Sequence, residues 1–295
     1  MAVIKTKAPL RISFAGGGTD IEPYLSDYGS YVLSAAINLY SRAIYPCENS
    51  GLAIEDILSG IAGRGKVKLL SDVEAEAGLG GSASLYVAGL KAIYPQLDKA
   101  QLASLAFYLE RSVQGIKGGL QDQICASHGG FLFITLEGEA INLENLSTTD
   151  GFNKFLVLVN VGKRQKSGNE IIEDQLRCYD VKVLHRQKQL ARLMKESFLK
   201  KQYIEFGQLL DEAWQTKKKQ SSLVSFPQLD ELYQKFLSLG CIGGVLSGAG
   251  AGGNMLLMEH PDKEGELRQN LIKEGISYHN VEYDILGARI IEDVP

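Results

Sequence analysis

Gly78-Leu79-Gly80-Gly81-Ser82-Ala83-Ser84 is the stretch on which the reading of this chain turns. Glycines let backbone N–H groups approach an anion closely. A helix is predicted from about Ser82 to Tyr94, with Ala83, Val87, Leu90 and Tyr94 on one face. Its N-terminus points the positive end of the helix dipole at the same place. Ser82 adds a hydroxyl suited to Mg²⁺. The pattern describes a phosphate cradle; taken alone it also fits a glycine turn capped by serine.

Two other glycine clusters compete for that reading. Gly60 to Val67 nearly spells a P-loop, but residue 67 is valine, so the metal-binding hydroxyl is missing, and Lys68-Leu69-Leu70 continues no helical stripe. Gly248 to Gly253 is a formal G-x-G-x-x-G. It lies late in the chain and runs into Asn254-Met255-Leu256-Leu257-Met258, which reads as a strand, whereas a dinucleotide fingerprint opens a helix. Neither supports a P-loop enzyme or a Rossmann oxidoreductase.

Around these clusters the chain reads as an ordered α+β protein. It has 295 residues, 45% hydrophobic and 22% charged, with 32 glycines against seven prolines, a balance that favours tight loops over disordered linkers. The net charge of -4 argues against nucleic acid as a partner. No apolar run is long enough to span a membrane, and the N-terminus is too short and polar for a signal peptide. A cytoplasmic protein is expected, with Cys47, Cys125, Cys178 and Cys241 as buried thiols, since their spacing matches no metal site. The four histidines are scattered, which makes a His-ligated metalloenzyme improbable.

Strands are predicted at 10–16 and 31–46, helices at about 82–94 and 99–113, a loop at 114–121, then a short helix and the strand Phe131–Leu136. The polar stretch 144–153 is the expected boundary between domains 1–150 and 151–295. Beyond it come the strand Phe155–Val161, a helix opened by the capping box Ser167/Glu170, and helices at about 180–200 and 203–219. Trp214 lies on an apolar stripe and reads as core. A further helix runs from Pro227 to Gly240, and the tail (242–246, 254–258, helix 262–274, 277–284, 286–291) has a split β-α-β look.

Taken in order, these motifs resemble a family. Gly78–Ser84 resembles the G-L-G-S-S-A phosphate loop of the GHMP kinases, which include galactokinase, homoserine kinase, mevalonate kinase and phosphomevalonate kinase. Ala8 to Asp20 (APLRISFAGGGTD) looks like the family's first motif, in a form resembling the D-glycero-D-manno-heptose 7-phosphate kinases. Gly118-Gly119-Leu120-Gln121-Asp122-Gln123 is similar to a G-G-x-Q-D-Q segment, and Leu246–Gly253 to the third, C-terminal motif. With further similarity at Trp214–Lys218 and Phe226–Tyr233, the resemblance spans nearly the whole chain.

The resemblance implies a two-domain GHMP kinase fold, with a ribosomal S5 domain 2-like N-terminal half and a ferredoxin-like C-terminal half. It implies ATP and Mg²⁺ as cofactors and a small-molecule sugar or sugar phosphate as partner, in a monomer or homodimer. Asp122 would be the base that takes the acceptor hydroxyl's proton, or an Asp making a turn hydrogen bond. Arg11 would hold it ionised, or be an ordinary ion-pair arginine. Ser82 and Glu110 would hold Mg²⁺, though a solvated helix glutamate is the plainer alternative for Glu110. Gly78, Leu79, Gly80, Gly81, Ser82, Ala83 and Ser84 would bind nucleotide phosphates. Gly16, Gly17, Gly18, Thr19 and Asp20 would meet the sugar, with Gly248 and Gly250 of the third motif beside it. Arg164, flanked by Lys163 and Lys166, is the first choice for a substrate phosphate; Lys217, Lys218 and Lys219 are another basic run. Both runs also read as solvated charge.

Three departures stand out. Gly81 replaces the first serine of the usual pair, Glu74-Ala75-Glu76-Ala77 stands where a proline-containing lead-in is usual, and the segment between Asp20 and Gly78 is short. The expected reaction is transfer of the γ-phosphoryl of ATP to a sugar hydroxyl, with a heptose 7-phosphate at its anomeric position as first substrate. The alternatives are another GHMP substrate (galactose, mevalonate or homoserine type) and an inactive nucleotide-binding regulator.

Overall fold

The architecture grows from one long hairpin. In the computed structural model, which describes residues 2–49, 51–146 and 151–291, strand β1 (Ile4–Ala15) pairs antiparallel with β2 (Ser30–Cys47) across a short helix α1 (Tyr24–Tyr28). Between Pro9 and Leu10 the register shifts, so that Pro9 faces Tyr40 while Leu10 faces Ile37. Proline donates no ladder hydrogen bond, which suits it to such an irregularity. Before the shift, Thr6 and Ala8 meet a helix, Thr6 Oγ1 donating to Ala88 O at 2.7 Å. After it, Leu10, Ile12 and Phe14 join a different core.

Helix α2 (Ala53–Ala62) and strand β3 (Lys66–Ser71) follow, then α3 (Gly81–Ile93), α4 (Lys99–Tyr108), α5 (Gln121–His128), β4 (Phe131–Glu137) and β5 (Ala140–Asn145). The sequence reading did not foresee α2. It ends at Gly63, whose left-handed backbone (φ +68°) caps the helix, and this capped end occupies the stretch that nearly spelled a P-loop.

The second half comprises β6 (Leu156–Asn160), α6 (Gly168–Arg177), α7 (Val181–Leu199), α8 (Tyr203–Lys218), α9 (Pro227–Ser238), β7 (Cys241–Leu246), β8 (Asn254–Glu259), α10 (Glu266–Lys273), β9 (Tyr278–Asn280) and β10 (Arg289–Ile290). The predicted capping box is present: Glu170 N donates to Ser167 Oγ at 3.2 Å and Ser167 N to Glu170 Oε2 at 2.8 Å.

Two sheets result. The first runs β10-β1-β2-β4-β5, with β3 pairing the far end of β2. The second is antiparallel in the order β7-β8-β6-β9, the arrangement of a split β-α-β unit with its helices set between strands one and two and between three and four. The fold is α+β, as expected. The tail differs from expectation: β9 is only Tyr278–Asn280, and β10 leaves the second sheet to pair with Thr6 and Lys7 of β1. Of the stretch 144–153, Glu144 and Asn145 still belong to β5, and 147–150 lie outside the described residues.

A large apolar core joins the halves. Phe14 and Phe131 of the first sheet meet Phe152, Phe198 and Phe206 of the second half, with ring centroids from 4.8 to 6.5 Å apart. Trp214 is fully buried there, as its stripe predicted. Cys125 and Cys241 are buried, but Cys178 is exposed and Cys47 half-buried, because Cys178 caps the end of amphipathic α6.

Candidate active site

Arg11 and Asp122 are 111 residues apart in sequence and form a two-pronged ion pair. Arg11 Nε donates to Asp122 Oδ1 at 2.6 Å and Nη2 to Oδ2 at 2.8 Å. The remaining nitrogen, Nη1, donates to Gly78 O at 2.6 Å. Only 5% of Arg11 is exposed, so its charge stands in a low-dielectric setting where paired geometry matters most. Its backbone N–H also bonds Leu79 O at 3.0 Å. One residue of β1 thus ties the first motif, the glycine turn and α5 together.

The turn lies against this pair. Gly80 has φ +71°, and a Cβ there would stand 3.2 Å from Arg11 Cγ and 3.4 Å from the Asp122 carboxyl carbon. Glycine is therefore required on two grounds, backbone and space. Helix α3 starts at Gly81 with no side-chain cap, leaving its first N–H groups without side-chain acceptors. Not all of the predicted cradle is chemical. Ser84 is fully buried and its hydroxyl donates to Ala8 O at 2.9 Å, so its side chain anchors α3 to β1. Leu79 and Ala83 are core. A Cβ on Gly81 would meet nothing within 4 Å.

Ser82 and Glu110 come together from different helices. After Tyr108, α4 widens into a π-helical turn over Leu109–Val113, a local insertion that often marks function. It delivers Glu110, 4% exposed, beside Ser82. Burial pushes the Glu110 carboxyl above the usual range, while Arg111 and the nearby Ser82 hydroxyl pull it back. Ser82 Oγ itself is buried without a well-formed hydrogen bond. A hydroxyl set against a buried carboxylate is a hard-oxygen pair of the kind that suits Mg²⁺, and Glu110 also accepts from Gln123 Nε2 and lies 3.4 Å from Arg111 Nη1. Among the described residues no group of three or more His, Cys, Asp or Glu gathers, so the remaining ligands of such an ion would come from phosphate and water.

Arg111, which the sequence reading passed over, shapes the next loop. Its guanidinium donates to Ile116 O, Gly118 O and Gly119 O at 2.8–2.9 Å. This folds 114–120 back so that Gly119 reaches Asp20, where a Cβ would lie 1.8 Å from a carboxylate oxygen. Asp20 accepts from Gln121 N and Nε2 at 3.3 Å and is 3% exposed. Burial and the nearby Asp122 raise its pKa.

The first motif divides by role. Gly16 could not carry a side chain, since a Cβ would sit 2.0 Å from Tyr31 O. Thr19 corrects the expectation of a sugar contact: it is fully buried, and its hydroxyl is occupied by Gly16 O and Ser30 Oγ, both at 2.7 Å. Gly17 is close only to Gln121, 3.9 Å from its Cβ position, and Gln220 Nε2 donates to Gly17 O at 3.3 Å. Gly18 borders a cavity walled by Ile21, Tyr24, Ile172, Leu176 and Leu184. Its charged lining groups are Glu22 and Asp180, and no Lys or Arg lines it.

The third motif closes the site from the other half. A Cβ on Gly248 would lie 2.8 Å from Gly78 Cα and 2.8 Å from Arg164 Nη2. Gly250 packs on Val224 backbone, 2.8 Å from its Cβ position. Arg164 stands between Gly78 and Gly248 with Nε and Nη2 buried and unpartnered. Its neighbours Lys163 and Lys166 are exposed and loosely paired with Glu74 and Glu170. The second basic run splits as well. Lys218 pairs with Asp230 at 3.0 Å and Lys219 is exposed, whereas Lys217 turns inward and donates to Leu246 O at 2.6 Å and Gly248 O at 2.5 Å. Burial, reinforced by Arg11 and Arg164 and opposed by Asp122, pulls the Lys217 ammonium down to about 7. Helix periodicity carries the signal for this choice: Lys217 lies four residues after Ala213 and seven after Leu210, on the buried stripe of α8, and Lys219 lies on the opposite side.

Comparison with known proteins now decides the family. Residues 33–130 match the GHMP kinases N terminal domain, and residues 194–277 match the GHMP kinases C terminal. The chain is 31% identical over 320 residues to the D-glycero-alpha-D-manno-heptose 7-phosphate kinase of Campylobacter jejuni, covering 93% of this chain and 94% of that one. The chain belongs to the GHMP kinase family. It is an ATP-dependent kinase acting on an alcohol group. The crystal structure of a putative sugar kinase from Campylobacter jejuni superposes with a TM-score of 0.75 at 29% identity, covering 99% of this GHMP kinase and 98% of that chain. At 24% identity, a D-glycero-D-manno-heptose 1-phosphate kinase from Bacteroides thetaiotaomicron shares the fold with a TM-score of 0.76 and full coverage of both chains. No helix among the described residues is long and apolar enough to cross a membrane.

Proposed function

We propose that this GHMP kinase transfers the γ-phosphoryl group of ATP to the anomeric hydroxyl of a D-glycero-D-manno-heptose 7-phosphate. The observation that carries the chemistry is the Arg11–Asp122 pair set against the Gly78–Gly80 backbone. The substrate rests on the 31%-identical relative and on the form of the first motif.

Asp122 accepts the proton of the acceptor hydroxyl as its oxygen bonds to the γ-phosphorus and the bond to the β,γ-bridging oxygen breaks, releasing ADP. Arg11 holds Asp122 oriented through the two-pronged pair, and its charge offsets that on the moving phosphoryl group. Backbone N–H groups at the start of α3 hold the nucleotide phosphates. Ser82 and Glu110 would hold Mg²⁺, which neutralises phosphate charge when bound. Asp20 and the backbone of Gly16–Gly18 position the sugar beside the apolar cavity. The acidic rim of that cavity is unsuited to a phosphate, so the acceptor's phosphate turns toward the unpartnered edge of Arg164. On this reading residues 1–150 carry the nucleotide, and residues 151–295 wall the acceptor. A cytoplasmic location follows from the acceptor and from ATP.

Phosphorus NMR of the protein with Mg-ATP and a panel of heptoses, heptose phosphates, galactose, mevalonate and homoserine tests the reading. The expected outcome is one new anomeric phosphate resonance, from heptose 7-phosphate, lost about 1,000-fold in rate on Asp122→Asn with the fold intact. Turnover of a different alcohol alone would overturn the substrate, and full activity of Asp122→Asn would overturn the base.

A further inference from the structure

We propose that Lys217 is a positioning residue of the phosphoryl-transfer site, one that fixes the Leu246–Gly248 turn against Gly78 and sets a positive charge behind the Arg11–Asp122 pair. The inference rests on the kinase reading above and adds a residue to its machinery.

The geometry is a relay through backbone. Lys217, in the last turn of α8, donates to Leu246 O and Gly248 O. Between those two carbonyls lies Ser247 O, which a Cβ on Gly78 would approach to 2.5 Å. The turn clamped by Lys217 is therefore the surface on which the phosphate loop rests. On the far side, Gly78 O accepts from Arg11 Nη1, and Arg11 holds Asp122. Neither glycine has a side chain of its own, and the Arg164 guanidinium lies beside both, so a shift of the clamped turn passes through Gly78 to the guanidinium that orients the base.

The choice of lysine is informative. Burying an ammonium is costly unless its protons find acceptors. A neutral amine also has two N–H groups and would satisfy both carbonyls. What the ammonium adds is a third proton and a charge. The charged groups close enough to act on it are Arg11 from β1, Arg164 from the segment before α6, and Asp122 from α5, two cations and one carboxylate. Such a cluster is electrostatically incomplete until an anion arrives, and the phosphates of the reaction are that anion.

The test compares Lys217→Met and Lys217→Arg with the unsubstituted chain. It reads kcat/KM across pH, ATP affinity by displacement of a fluorescent nucleotide without acceptor, and thermal midpoint. The unsubstituted chain is expected to lose kcat/KM as pH rises through about 7, where the free ammonium discharges. Lys217→Arg keeps its charge and is expected to lack that alkaline fall. Lys217→Met is expected to lose about 100-fold in kcat/KM, the scale of removing one preorganised charge, and to bind ATP about tenfold more weakly. An identical alkaline fall in Lys217→Arg, or Lys217→Met activity within about threefold of the unsubstituted chain, overturns the proposal. If Lys217→Met does not fold, the Lys217→Arg profile decides alone. If ATP binds and no acceptor is phosphorylated, the acceptor reading fails separately, and unchanged ATP affinity in Lys217→Met then overturns the role of Lys217.

Discussion

Gly78–Ser84 and Leu246–Gly253 have nearly the same composition, yet their glycines serve opposite ends. In the first turn Gly80 and Gly81 leave room, while Gly78 is a contact point whose Cβ position lies 2.5 Å from Ser247 O. A Cβ on Gly81 meets nothing within 4 Å, and Gly80 keeps a side chain away from Asp122. In the second turn they remove room. Side chains at Gly248, Gly250, Gly252 and Gly253 would each stand within 2.7–2.8 Å of backbone atoms of other segments, at Gly78, Val224, Lys163 and Ala77. One turn is open at Gly81; the other is packed throughout, Gly248 and Gly253 against the first half and Gly250 and Gly252 within the second. A glycine count cannot tell these uses apart, because both need the same backbone freedom.

The contrast can be broken at its strongest point. Gly248→Val forces a branched side chain into the Gly78 backbone at a φ of +77°. It is expected to cost about 3 kcal/mol or more, read as a fall in the urea midpoint, with activity lost in proportion to fold. A folded, active Gly248→Val would mean that the joint is loose.

The open turn should behave the other way, losing chemistry without stability. Ser82→Ala is expected to lower kcat about 100-fold and to raise the Mg²⁺ concentration needed for half-maximal rate, with stability unchanged within about 0.5 kcal/mol. Glu110 sharpens the same point through pH. Its pKa in the fold lies above the unfolded value because of burial. The folded chain therefore holds a proton that the unfolded chain releases, and in EDTA the Glu110 contribution to stability is greatest below the unfolded carboxylate range and declines as pH rises through the raised value. Glu110→Gln is expected to abolish that decline and to melt higher at neutral pH, while losing the Mg²⁺-dependent rate.

Smaller effects follow. Leu184→Phe narrows the cavity beside Gly18 and is expected to raise the acceptor KM about tenfold with ATP affinity unchanged. Gly81→Ser, which restores the family's serine in open space, is expected to change kcat and stability by less than about twofold and 0.5 kcal/mol. A large loss there would close the turn after all.

Much of the site was legible because its motifs are local. The glycine turn, the helix it opens and the capping box at Ser167 each depend on residues within a few positions, where backbone geometry and helix periodicity decide the outcome. The resemblance supplied the order of the motifs and so the partnership of Arg11 with Asp122. The partners of Arg111 and Lys217 were not legible, since each acts on carbonyl groups of a loop and any residue type offers a carbonyl, although the inward direction of Lys217 follows the apolar stripe of α8. Thr19, Ser84 and Gly250 show the converse: they belong to motifs read for function, while their side chains or close contacts serve the fold.

The sequence by itself determined the α+β class and the order of most helices and strands, and it marked Gly78–Ser84 as a glycine turn opening a helix, because these follow from periodicity and from what glycine and serine permit locally. Only the tertiary structure decided which carbonyls Lys217 and Arg111 meet, which residues Ser82 and Glu110 bring together and which glycines are joints. Those outcomes depend on how α8, α3 and the two glycine turns are pressed together by a core shared between the halves, and that pressing is a property of distances between residues that the chain keeps far apart.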